Sequence, residues 1–322
     1  MPLPLRLLPF SLLLACDPSE AVESGTGGNA DSGPVGDPAT VSLAGECAMD
    51  VDFGGFTVTD NGETTDVAGK VADGVVPIAV LEPIATEGDC QVLRQNNPHC
   101  EPTCDPGQTC DFDGLCVPYP INQDLGTVTI TGLVDAVTME PAFPGNTYYN
   151  STALPHPAIT ADVAVRLGMP AGAYGPAELF GVGFESLVVS DAGWSITEGA
   201  DLVVGWAAPK SAAPRSEVVL SVSIDQHGVS PSSLRCVFAD TGSGTVPAAA
   251  ITALVGAGVT GFPNGALERR TVDKAVAGAG CFDFALRSPR TVQVDVGGHT
   301  PCVSTVDCPD GQTCNEELQT CQ

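Results

Sequence analysis

Eight of the chain's 13 cysteines fall into two short clusters, and no other feature limits its fold so strongly. The first cluster is Cys100, Cys104, Cys110 and Cys116 (CEPTCDPGQTCDFDGLC). The second is Cys302, Cys308, Cys314 and Cys321 (CVSTVDCPDGQTCNEELQTC). Both contain CxxGQTC, with Gly107 and Gly311 in equivalent places, so they form an internal repeat. Each is too short to bury a hydrophobic core, and covalent closure must hold it. Four thiolates can hold zinc, but the clusters lack the CxxC knuckles that favour the metal. Four cysteines permit three pairings, and spacing does not choose among them.

Cys16 closes Leu13-Leu14-Ala15-Cys16 after an apolar run whose one basic residue is Arg6. Residues 5–15 are too short for a stable membrane span of about 20 residues. A charged start, an apolar stretch and small residues before a cut site describe a processed export signal. The segment resembles bacterial lipoprotein signals. That resemblance implies a mature chain beginning at Cys16, with a thioether-linked diacylglycerol and an amide-linked third chain. Two or more acyl chains anchor stably where one is marginal. The expected location is extracytoplasmic, lipid-anchored to a bacterial membrane, at the outer membrane or cell surface. Export to an oxidising compartment predicts that the other twelve cysteines form disulfides. Outside the clusters the expected pairs are Cys47–Cys90 and Cys236–Cys281.

Residues 17–45 are rich in Gly, Pro, Ser, Asp and Glu, with no aromatic residue, and no Lys or Arg occurs between Arg6 and Lys70. Such a segment buries too little apolar surface to offset chain entropy, and reads as a flexible acidic tether. Formal net charge is −27, and loss of residues 1–15 with Arg6 makes it −28. That argues against nucleic acid and against electrostatic adhesion to anionic lipid. Calcium loading would offset part of this charge.

Val/Thr-rich runs separated by Gly and Pro suggest many short strands joined by turns. Strand candidates are 126–134, 161–167, 186–190, 201–206, 217–224, 234–239 and 290–296, with Asp60-Asn61-Gly62 as a hairpin turn. One helix is expected at 247–256, opened by Pro247 and stopped by Gly256. The fold class is all-β: antiparallel β-sandwich domains, Ig-like or fibronectin-like in style, with two small disulfide-rich modules. The expected division is a signal peptide at 1–15, the lipidated cysteine and linker at 16–45, and a small β domain at 46–96. A Cys-rich module follows at 97–120, then a β-sandwich domain at 121–300 and a second module at 301–322.

The clusters distantly resemble the Dickkopf- and EGF-like modules of secreted and surface proteins. Residues 46–300 are similar to a family of uncharacterised envelope lipoproteins from predatory and gliding soil bacteria. The resemblance rests on FGGFTV (53–58), YPINQDLGTVTI (119–130), SIDQHG (223–228), CVFADTGSGTVP (236–247) and GCFDF (280–284). It implies a tandem β architecture at the cell envelope and no particular activity.

Asp240-Thr241-Gly242-Ser243 matches the aspartic-protease triplet, whose chemistry needs two aspartates sharing a proton. One triplet would serve only in a symmetric dimer, so an exported hydrolase using Asp240 is the alternative to a non-catalytic role. Asp225 and His227 lie two apart on an expected strand, as half of a metal site would. Asp111 and Asp113 superficially resemble a calcium loop without the EF-hand pattern, and Asp307 and Asp310 occupy the second cluster. No metal ligand set is assigned. Trp206, ending a Val-rich strand, reads as a core anchor. Among the few aromatics that could serve a glycan, Trp194, Tyr148 and Tyr149, the two tyrosines lie in a Pro/Gly/Asn-rich loop and are the expected contact surface. The reading is an adhesion, recognition or scaffolding protein whose partner is an envelope protein or glycan.

Overall fold

The computed structural model describes residues 36–322 apart from 212, 226, 228 and 229. The fold is all-β, with one α-helix among the described residues and short disulfide-closed modules. In chain order the first strands are β1 (Asp52–Asp60), β2 (Thr65–Val71), β3 (Leu81–Glu87), β4 (Cys90–Gln95), β5 (Gln108–Cys110) and β6 (Cys116–Pro118). Next come β7 (Val128–Thr131), β8 (Val137–Met139), β9 (Tyr148–Tyr149), β10 (Ala164–Met169), β11 (Ala177–Val182), β12 (Gly193–Ile196) and β13 (Leu202–Gly205). Then follow β14 (Glu217–Ser223), β15 (Ser232–Ala239), β16 (Ser243–Val246), the helix α1 (Ala248–Ala257), β17 (Asn264–Ala277) and β18 (Gly280–Val296). The second module supplies β19 (Cys314–Asn315) and β20 (Thr320–Cys321).

Ten strands form one sheet in the order β3-β4-β15-β14-β17-β18-β1-β2-β9, with β12 also paired to β18. Most pairings are antiparallel, but β18 meets β1 and β12 in parallel. The hairpin β17–β18 is the spine. Seventeen extended residues of β18 span about 50 Å, so one strand serves two cores. Its first half supplies Phe282, Phe284 and Leu286 to a core with Phe56, Tyr148 and strands β7, β10 and β11. Its second half supplies Val292, Val294 and Val296 to a core with Trp194, Trp206, Phe238 and α1. The shared even numbering puts both sets on one face of the sheet. The sheet β11-β10-β7-β8 covers one end of that face, and α1 with the pair β13-β16 covers the other.

The expected boundary between 46–96 and 121–300 divides the sequence rather than the fold. Strands β1 and β4 pair with β18 and β15 inside the same sheet, and the described residues belong to one compact unit. The disulfides change for the same reason. They are Cys47–Cys281 and Cys90–Cys236, not Cys47–Cys90 and Cys236–Cys281. Cys90 lies directly across the β4–β15 ladder from Cys236, and β1 runs beside β18 from Asp52 opposite Cys281. Both clusters close first-to-third and second-to-fourth: Cys100–Cys110 with Cys104–Cys116, and Cys302–Cys314 with Cys308–Cys321. The identical connectivity matches the repeat.

The helix forms from an Ala-rich stretch that ends at Gly258 rather than Gly256, where φ is +127°. Proline at its N-cap offers no side-chain acceptor, so Asp201 from another loop accepts the Ala248 N–H at 2.7 Å. The end of the expected tether is bound rather than free. Arg215 donates to the carbonyls of Pro38 and Val41, and Ala44 N–H donates to Asp273. Residues 38–44 are therefore bound to the folded body, ahead of the expected boundary at 45. The first 35 residues, with Cys16, lie outside the described residues.

Candidate functional site

Strand alternation sends the two tyrosines of β9 to opposite faces. Tyr148 is buried, packs on Phe56 at a centroid distance of 5.4 Å, and accepts the Leu125 N–H at 2.8 Å. Tyr149 is 58% exposed on the outer face. Of the expected contact pair, Tyr148 is a core residue, and only Tyr149 is placed to meet a ligand. Trp194 is buried as well, stacked over Gly265, where a Cβ would come within 2.5 Å of its ring.

On the outer face of the sheet between β9 and β17, where Glu46 and Cys47 are tied to Arg270, Lys274 and Asp283, the side chains form three rows across the strands. The middle row is Tyr149, Ala68, Thr57, Ala285 and Val272, each directly opposite the next. Directly paired residues share a face and lie close together. Four small side chains in line make the floor of a trough, and the tyrosine stands at one end. One wall is Lys70, Gly55, Asp283 and Lys274. The other is Asp66, Thr59, Arg287, Arg270 and Glu217. The floor row, with Lys70, Asp283, Arg270 and Arg287 of the walls and Glu46, Asp52 and Glu268, lines a cleft of about 670 Å³, within the usual range for ligand sites.

Arg270 and Arg287 stand directly opposite each other, an arrangement that repels unless neutralised. Arg287 pairs with Glu268, while Arg270 pairs with Glu46 and Glu217, both at 2.7 Å. Glu46 also pairs with Arg235 at 2.7 Å, and its carbonyl accepts Lys274 Nζ. Burial pushes the Glu46 carboxyl up, but Arg270 and Arg235 outweigh it and hold the group below its ordinary value. Lys70 has no ion-pair partner among the described residues.

Asp283 behaves oppositely. Burial first, then the neighbouring Asp52 and Glu46 charges, raise its pKa from 3.8 to about 7, against the Cys47 N–H it accepts and the nearby Lys274. Asp52 is raised too, chiefly by burial. A carboxyl with a raised pKa binds its proton more tightly folded than unfolded. Its stabilising contribution is therefore full below 3.8 and is lost as pH rises through about 7. In Asp283→Asn the loss should disappear, because the amide keeps an acceptor for Cys47. Urea unfolding across that window should give a flatter stability profile than the wild type. Parallel profiles would refute the assignment.

The remaining candidate residues are held in structural roles. Asp240 is buried, and both carboxylate oxygens are occupied. Oδ1 accepts from Trp206 Nε1 (2.8 Å) and Arg269 Nη2 (3.0 Å), while Oδ2 accepts from Ser216 Oγ (2.6 Å) and Arg269 Nε (2.6 Å). An aspartate so enclosed presents no oxygen to a water or a second aspartate, which removes the protease geometry. Asp225 is buried and accepts Thr260 Oγ1, and His227 Nε2 meets Gln319 of the second module at 2.8 Å. This places His227 at the seat of that module.

Asp111 accepts the N–H groups of Asp113 and Leu115, which turns the first module. Asp307 accepts those of Val303 and Ser304, and these bonds hold its carboxyl below the ordinary value. Every cluster cysteine is disulfide-bonded, so the close groupings of three cysteines offer no thiolates.

No family model and no curated protein matches this chain. The site therefore has to be read from its own geometry. Arg270, Arg287, Lys70, Glu46 and Asp283 are all absent from the sequence-derived site. One signal was there to find. Asp283 between Phe282 and Phe284 in an extended run must face away from a core that takes the two rings.

Proposed function

We propose that this chain is a lipid-anchored envelope protein that binds a partner through the outer-face trough and acts in recognition, adhesion or scaffolding. The observation that carries this reading is the row Tyr149-Ala68-Thr57-Ala285-Val272 between two charged walls. Most of its charged groups are fixed by ion pairs before any ligand arrives. Preorganised groups lose little freedom on binding, which favours affinity. The Leu-Leu-Ala-Cys tetrad and six disulfides, two of them closing 146 and 234 residues of chain, support delivery to an oxidising exterior.

Two measurements test the two parts. Cells fed a labelled fatty acid should yield labelled protein in the membrane fraction, and Cys16→Ser should abolish the label. Retained label in that variant would remove the anchor. For the trough, full-length detergent-solubilised protein should retain material from whole envelopes. Ala68→Arg, which places a long cation on an exposed floor position, should release most of it. Capture unaffected by that substitution would remove the trough as the binding surface.

A further inference from the structure

We propose that the trough takes an uncharged linear oligosaccharide, laid across the strands with one sugar ring on Tyr149. This rests on the reading of the trough as the binding surface and names its ligand class. The shape is the first argument. The floor row crosses five strands, β9, β2, β1, β18 and β17, and four strand spacings make about 19 Å. A channel of that length with a cross-section set by alanine, threonine and valine fits a narrow extended chain, not a compact cofactor.

The chemistry of the walls is the second argument. Lining acids are Glu46, Asp52, Glu268 and Asp283; lining bases are Lys70, Arg270 and Arg287. The two signs nearly balance, and burial lets Asp283 keep its proton close to neutrality. A strongly charged ligand of either sign would meet as much repulsion as attraction. Anionic chains face in addition the excess of acid over the whole molecule. A planar carboxylate or guanidinium already held by an ion pair keeps free lone pairs or N–H groups at fixed angles. Sugar hydroxyls both donate and accept, so adjacent hydroxyls can use both members of pairs such as Arg287–Glu268 and Arg270–Glu46.

Tyr149 is the third argument. It is an exposed ring at the end of the floor, rigid at low entropy cost, with an apolar face for the C–H side of a pyranose and a hydroxyl at its rim. An extended peptide fits less well. Its backbone groups pair at a sheet edge, whereas this floor offers side chains on a sheet face.

Titration calorimetry on the full-length protein in detergent would use neutral cello-, chito-, xylo- and malto-hexaose. A sulfated hexasaccharide and an uncharged extended peptide serve as comparators. At least one neutral oligosaccharide should bind, and Tyr149→Ala should weaken it about tenfold, the order expected for one stacked ring. Ala68→Arg should abolish it, and neither exposed substitution should shift the melting temperature. No binding by any neutral oligosaccharide at millimolar concentration, binding indifferent to both substitutions, or preference for the sulfated chain or the peptide would each overturn the proposal. Envelope capture separates the two levels. Capture lost in Ala68→Arg without oligosaccharide binding refutes the ligand class and leaves the binding surface; capture that persists refutes both.

Discussion

Arg269→Met is expected to destabilise the fold by about 3–5 kcal/mol, the usual cost of stranding one member of a buried ion pair. Arg269 and Asp240 are both almost fully enclosed, with side chains 1% and 0% exposed. The pair lies between the two cores, where the shared face of β17 turns from Leu267 to Thr271. Arg269 also donates to the carbonyls of Glu185 (2.9 Å) and Ala207 (2.7 Å), so one side chain pins two loops and the β15–β16 turn to the sheet. Removing it leaves Asp240 with only Trp206 and Ser216. Asp240→Leu in the same chain should recover part of the loss, because the carboxylate stranded by the first substitution is then gone. Urea unfolding of the single and double variants gives the measurement. A loss under about 1 kcal/mol in the single variant, or no recovery in the double, would contradict this account.

Loss of the Cys90–Cys236 disulfide should have a comparable effect. The bond closes 146 residues of chain, for which the entropy of the unfolded state predicts about 5 kcal/mol. Both cysteines are fully buried and face each other across the β4–β15 ladder, so Cys90→Ala/Cys236→Ala also removes packing from that core. The module bond Cys302–Cys314 closes only 12 residues, worth about 3 kcal/mol, and its loss should loosen the module while the large sheet keeps its cooperative transition. Guanidinium unfolding of the two double variants separates the cases. Equal losses of global stability in both would show that the module and the sheet unfold as one unit.

Much of the local structure was legible in residue order. The runs 201–206, 217–224 and 234–239 became β13, β14 and β15 to within two residues, and the Ala-rich helix formed where Pro247 and the following glycines place it. The hairpin at Asp60-Asn61-Gly62 joins β1 to β2. Such features depend on alternation and turn chemistry acting over a few residues. The segment NGALERRTVDKAVA was missed as β17 because its charges obscure the alternation, although they form the ion pairs at the centre of the sheet.

Residue order by itself determined the all-β class, the repeated Cys-rich module and the excess of acid. Each follows from composition or short-range spacing. Tertiary structure alone decided which cysteines pair outside the clusters, that the segments 46–96 and 121–300 share one sheet, and that Tyr149 rather than Tyr148 reaches solvent. It also decided that Asp240 answers Arg269 instead of a substrate. The physical reason is range. Strand pairing joins residues more than two hundred positions apart, and a side chain's face, charge partner and exposure depend on that register, which no local pattern records.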